Sequence, residues 1–131
     1  MRLAILSATL ALLAPVAVGA FRQDATPDRA LSGRIAGKPT TCIDQTRIDS
    51  TQTFDAGAIL YRMRGGPDYL NTLPGCAGTL RSDSLLVTRT PSTQLCRGDI
   101  VEIRDAYSTI SRGSCGLGDF VPYQKPPKRP Q

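Results

Sequence analysis

Four cysteines constrain this 131-residue chain more than any other feature. They stand at Cys42, Cys76, Cys96 and Cys115, separated by 34, 20 and 19 positions, and the chain has no histidine. A structural zinc site draws on close cysteine pairs, usually with histidine, and these spacings offer neither. An even number of cysteines in a small domain points instead to disulfides and to an oxidising compartment. Four cysteines allow three pairings. The expected one joins the ends, Cys42 to Cys115, with Cys76–Cys96 nested inside. In the chain-entropy view such loops stabilise by about 4.5 and about 3 kcal/mol, and by less together because they are nested. No metal ion and no cofactor is expected.

The compartment has a second indicator. Met1-Arg2 is followed by an apolar run from Leu3 to Val18, then Gly19-Ala20, with polar residues from Arg22 onward. A basic start, an apolar centre and small residues before a cut describe a secretory signal peptide, with cleavage expected after Ala20. The 16 apolar-run residues fall short of the ~20 that cross a bilayer. The mature chain is therefore expected to be periplasmic or secreted and not membrane-spanning. Lys and Arg number 16 against 11 acidic residues, a net +5 that becomes +4 when Arg2 leaves with the leader. The charges are spread, which suits a solubilising surface. They also allow an anionic envelope component as partner.

Four segments follow: a signal peptide over 1–20, a linker over 21–41, a β domain over 42–123, and a basic proline-rich tail over 124–131 expected to be disordered. Within the linker, Thr26 suits an N-cap, Pro27 the first helical position and Asp28 the first turn. A short helix and an unstructured lead-in both fit 27–36. Within the domain, Asp49 to Phe54 reads as a strand. Ala58 to Arg64 alternates, with Ile59, Tyr61 and Met63 on a buried face and Arg62 and Arg64 opposite. Gly65-Gly66-Pro67-Asp68 is the strongest turn signal. Further strands are expected at Tyr69–Leu73, Leu85–Thr90 and Ile100–Arg104, with Ala106 to Ser111 a last strand or a loop. Short strands punctuated by turns predict an all-β fold: a disulfide-stapled barrel or sandwich of about five to seven strands.

Chemistry-bearing motifs are sparse. Without histidine there are no histidine-based triads or histidine general bases. Asp99, Glu102 and Asp105 lie near one strand, where a solvated face explains them, as it does Asp44 and Asp49. Arg97-Gly98-Asp99 spells an adhesion tripeptide but reads as a turn opening a strand. Gly113, Gly116 and Gly118 lack the strand-to-helix setting of a dinucleotide loop. Tyr61, Tyr69, Tyr107 and Tyr123 would have to share one basic face to bind nucleic acid, and none is expected as partner. Pro127 to Pro130 matches a loose polyproline pattern of no expected consequence.

Cys42-Ile43, Tyr69 to Leu73 before Pro74-Gly75-Cys76, the Cys96-Arg97-Gly98-Asp99 turn, and Gly113-Ser114-Cys115-Gly116-Leu117-Gly118-Asp119-Phe120-Val121-Pro122 together resemble a family. It is a family of small exported proteobacterial proteins built on a domain of unknown function, and the resemblance spans about residues 42–123. It implies a bacterial source and an envelope location; the family has no assigned activity or catalytic residues, so the resemblance carries over no function. The expectation is a non-enzymatic periplasmic binding or structural module. The alternatives are a secreted inhibitor presenting Gly65–Asp68 to an envelope hydrolase, and a carboxylate-based enzyme.

Overall fold

The computed structural model describes residues 26–130, so the expected leader lies outside the described residues. It shows an all-β domain with one short helix, α1 (Pro27–Ala30), and ten strands. These are β1 (Ile35–Ala36), β2 (Cys42–Asp44), β3 (Ile48–Phe54), β4 (Ala58–Met63), β5 (Asp68–Thr72), β6 (Ser84–Thr88), β7 (Gln94–Cys96), β8 (Ile100–Asp105), β9 (Ser111–Gly116) and β10 (Phe120–Gln124). All pairings are antiparallel. They build a five-stranded sheet in the order β1-β10-β5-β4-β3, a three-stranded sheet β6-β8-β9, and the ribbon β2-β7. No sheet closes on itself, which resolves the barrel-or-sandwich alternative against a closed barrel.

One cluster fills the centre. Ile59, Tyr61 and Met63 of β4 and Phe120 of β10 meet Val101 and Ile103 of β8, Leu95 of β7 and Ile43 of β2. The Tyr61 and Phe120 rings lie 5.7 Å apart, tilted. The alternation expected of β4 holds on this side. Its other face is not solvent-exposed, however. Ala58 and Leu60 pack there with Phe54 and Leu31, the residue that ends α1, so β4 is buried on both faces. The helix forms as its sequence suggests: the Thr26 side chain accepts from the Arg29 amide and Pro27 opens the first turn. Residues 27–36 are therefore a working part of the fold, covering the five-stranded sheet and adding β1 to its edge.

The strand count exceeds the expected five to seven because five elements came without the usual β-rich signal. Two of them, β2 and β7, are three residues long, and β1 has two. Ala106 to Ile110 is a turn, and the last strand of the small sheet comes later, at the glycine-bearing β9. Beyond it, Asn71 holds both backbone groups of Gly118: its Nδ2 donates to the Gly118 carbonyl (2.8 Å) and its Oδ1 accepts from the Gly118 amide (2.9 Å). A Cβ at position 118 would stand 2.5 Å from the Thr72 carbonyl oxygen, so only glycine fits this approach.

All four cysteines are in disulfides, but the expected pairing is wrong. Cys42 is joined to Cys96 and Cys76 to Cys115. The physical reason is strand register. In the β2-β7 ribbon Cys42 stands opposite Cys96, with Ile43 opposite Leu95. Cys115 faces inward from β9 and meets the buried Cys76 of the 3₁₀ turn Pro74–Cys76. The two links interlace instead of nesting, with sequence separations of 54 and 39. Each closes a loop worth about 4 kcal/mol in the chain-entropy view.

Candidate functional site

The outer face of the three-stranded sheet carries a groove of about 550 Å³. Strand alternation builds it. Val101 and Ile103 of β8 and Cys115 of β9 point into the core, so Ile100, Glu102, Arg104 and Ser114 point out. Register then sets rows across the sheet: Val87, Glu102 and Ser114 in one, Leu85, Arg104 and Ser111 in the next. The β9 side is low because it offers Gly113 and Ser114, while Val87 and Ile100 supply apolar walls. Leu85 and Ile100 are 47% and 56% exposed, so the apolar groups of this face are accessible.

Charge within the groove is unequal. Arg104 grips Glu102 with two hydrogen bonds, Nε to Oε1 at 3.0 Å and Nη2 to Oε2 at 3.1 Å. The Arg104 hydrogen bond, helped by Ser111 and by the charges of Arg104 and Arg89, holds the Glu102 carboxyl below its ordinary value against the opposing effect of desolvation. Glu102 in turn raises Arg104, chiefly through the same hydrogen bond. The two charges cancel, and Arg89 remains at the groove with no ion-pair partner among the described residues. An ionised carboxylate tied to an arginine is not poised for proton transfer. The arrangement suits recognition: one available cation, two hydroxyls and an apolar wall.

The residues singled out in the sequence are dispersed. Asp99 accepts from the Cys96 amide (2.8 Å) and closes the turn that contains the adhesion-like tripeptide, with Gly98 at φ +89°. Arg97 of that turn pairs with Asp119 at 3.4 Å. Asp105 caps the turn after β8, accepting from the Tyr107 and Ser108 amides and pairing with Arg112. These backbone amides and Arg112 hold its carboxyl far below the usual range. Asp44 caps the 3₁₀ turn Gln45–Arg47 through Thr46. Glu102 alone of these carboxylates lies in the groove. Among the described residues no three His, Cys, Asp or Glu side chains gather as a metal site. Tyr61 is in the core, Tyr123 packs with the cluster around Leu31, and Tyr107 is 88% exposed on a turn.

Arg89 and Arg104 are groove residues that the sequence did not single out. The available signal was the outward set Ile100, Glu102, Arg104, legible as alternation once Val101 and Ile103 were assigned inward. Among the described residues, no helix is long and apolar enough to cross a membrane. Comparison of the chain with protein-family models, with curated proteins and with solved structures finds no significant match.

Proposed function

We propose that this protein is an exported, non-enzymatic binding module that holds an extended anionic ligand of the cell envelope against the outer face of its three-stranded sheet. The observation that carries this is Arg89 without an ion-pair partner beside a shallow, apolar-walled groove. Export is supported by two disulfides, which persist in oxidising compartments. Membership of the exported family named above belongs to the same proposal and rests on its motif order. An anionic polysaccharide fits the groove because carboxylates spaced along a chain can meet Arg89 while ring faces lie on Val87 and Ile100. The test is titration with alginate oligomers, with neutral maltotetraose as control. Alginate should bind and maltotetraose should not; Arg89→Glu should weaken alginate binding about tenfold, and added salt should weaken it further. Equal binding of both sugars, or an Arg89→Glu variant that binds as well as the parent, would remove the groove as the site.

A second reading is a hydrolase inhibitor that presents the turn after β4. Arg47 donates to the Arg64 and Gly65 carbonyls (3.2 and 3.3 Å), and Arg64 donates to the Thr46 carbonyl (2.6 Å). A turn fixed in this way loses little entropy on binding. Affinity capture from periplasmic extract, with Arg47→Ala as the loosened control, separates it from the groove proposal.

A further inference from the structure

The outer strands of the two larger sheets are β1 and β3 in one, β6 and β9 in the other. Strand β1 has two residues. Strands β3 and β6 face each other across a seam that is latched at both ends. At one end Thr53 Oγ1 donates to the Arg81 carbonyl (2.8 Å) and Asp55 accepts from the Ser82 amide (2.7 Å). At the other the Gln45 amide donates to the Thr93 carbonyl (2.8 Å). That leaves β9. Its ladder with β8 decides which of its backbone groups are open. The Gly98 amide donates to the Leu117 carbonyl and the Leu117 amide to the Asp99 carbonyl, both at 2.9 Å, so Asp99 and Leu117 form a hydrogen-bonded pair. Bonded and non-bonded pairs alternate along an antiparallel ladder. By register, Val101–Cys115 and Ile103–Gly113 are then bonded pairs, while Ile100–Gly116 and Glu102–Ser114 are not. The amides and carbonyls of Ser114 and Gly116 therefore point away from β8, toward the free edge. Both residues are exposed, and no turn or loop backbone group among the described residues bonds to them.

Donors and acceptors repeating on every second residue are matched by another extended backbone. Edge strands are commonly guarded by proline, lysine or a covering segment. Strand β9 has neither proline nor lysine, and its one charged side chain, Arg112, is held by Asp105 of its own chain. The strand is also its own complement. Two copies running antiparallel about Cys115 set Ser114 of each opposite Gly116 of the other, and both residues turn their open groups toward the junction. Serine then meets glycine, so no like charges are set opposite each other. Nothing blocks the approach: Cys115 points into its own core, and a Cβ at Gly116 would meet nothing within 4 Å. Glycine and serine give the edge little with which to choose a foreign sequence, whereas its own register fits by symmetry. The outer-face groove favours the same partner. It is low on the β9 side, where Gly113 and Ser114 line it. In this pairing the row Val87, Glu102, Ser114 continues into Gly116 and Ile100 of the second copy, whose Ile100 supplies the missing apolar wall.

We propose that two copies of this protein pair through β9, antiparallel about Cys115, joining their three-stranded sheets into one continuous sheet and their grooves into one. An Arg89 then stands at each end of the joined groove, the two about 24 Å apart measured across the strands. The joined groove rests on the binding reading above; the pairing itself does not. The contact is small, so the expected dissociation constant is about 0.5 mM. The test follows the mature chain without ligand by sedimentation equilibrium and amide hydrogen exchange, from about 10 μM to about 2 mM. The average mass should rise toward two copies. Over that range exchange should slow about threefold at Ser114 and Gly116, by mass action. Gly113 and Cys115, bonded to β8, should stay protected at every concentration. Ser114→Pro and Gly116→Pro each remove an open amide and no ladder bond, as proline on an edge strand allows. Each should fold and remain a single copy throughout. A single-copy mass up to the highest concentration would overturn the proposal. So would exchange at Ser114 and Gly116 that ignores concentration, or association that persists in the folded proline variants. Alginate titration at about 10 μM, where the copies are single, reads the groove separately. Failure to bind alginate there removes the groove reading and leaves the pairing, and a single-copy mass removes the pairing and leaves the groove.

Discussion

The two large sheets set arginine beside carboxylate in opposite ways. On the five-stranded sheet Asp68 is 1% exposed, with Arg34 against one oxygen, Arg62 at 3.9 Å and Lys125 at 3.7 Å. It also accepts from the Met63 amide at 3.1 Å, locking the turn that the sequence marks most strongly. Three cations thereby draw together α1's trailing segment, β4 and the residue after β10. On the three-stranded sheet Glu102 and Arg104 form an equally well-aligned pair, yet their side chains are 27% and 33% exposed and tie together only one strand. The difference is topological. Asp68's side chain joins distant segments and cannot be released without undoing their packing. The Glu102–Arg104 pair can exchange partners with a ligand, because water already reaches it.

The comparison can be tested first at the link between the two regions. Cys76–Cys115 fastens β9 of the small sheet to the turn that follows β5. Replacing both cysteines by serine should cost up to about 4 kcal/mol in denaturant unfolding. Hydrogen exchange should accelerate most at β8 and β9 and least at β4 and β5. Uniform acceleration would show that the two sheets do not differ in local stability.

Asp68→Ala comes next, with an expected loss of about 3 kcal/mol, because breaking a buried pair leaves its partners uncompensated. The pH dependence follows from the same site. Burial pushes the Asp68 carboxyl up, but the Met63 amide, Arg34 and Lys125 outweigh it and hold the group below its ordinary value. A carboxyl lowered on folding stabilises fully above its unfolded value of about 4, and that contribution is lost as pH falls through the lower folded value. Asp68→Asn should therefore flatten the fall of the unfolding midpoint in this acid window. The slope that remains belongs to Asp44, Glu102 and Asp105, which are also held low. An unchanged slope would remove Asp68 from the account.

The smallest expected effect on stability is that of Glu102→Gln. Exposed pairs contribute little, so the unfolding midpoint should stay with the parent. Anionic ligands should bind more tightly, because Arg104 is freed for them. A marked loss of stability would place this pair with Asp68 and end the distinction.

How much could be read in advance differs element by element. Strands β3, β4, β5, β6 and β8 lay within a residue or two of their expected bounds, because each is a run of β-branched, aromatic or alternating residues between turn signals. Strand β9 did not announce itself: Ser111-Arg112-Gly113-Ser114-Cys115-Gly116 has the composition of a loop, and only pairing with β8 makes it a strand. The cysteine pairing failed for a related reason. The expected pairing joined the two ends of the domain, whereas register in the β2-β7 ribbon put Cys42 opposite Cys96. A cue was present, since Cys42-Ile43-Asp44 and Gln94-Leu95-Cys96 mirror each other as antiparallel partners do. The groove was half legible. Its outward carboxylate Glu102 was identified, and its arginines passed as ordinary surface charge.

The sequence by itself determined the all-β class, the use of all four cysteines in disulfides, and the turns at Gly65–Pro67 and Gly98. These are local consequences of residue type: alternation, thiol pairing in a small domain, and glycine where φ is positive. Tertiary structure alone decided which cysteines meet, that Leu31 covers the second face of β4, that Asp68 is a buried carboxylate, and that Gly118 must lack a side chain. Each of these depends on residues far apart in sequence being brought together by strand register, and register is set by the packing of whole sheets.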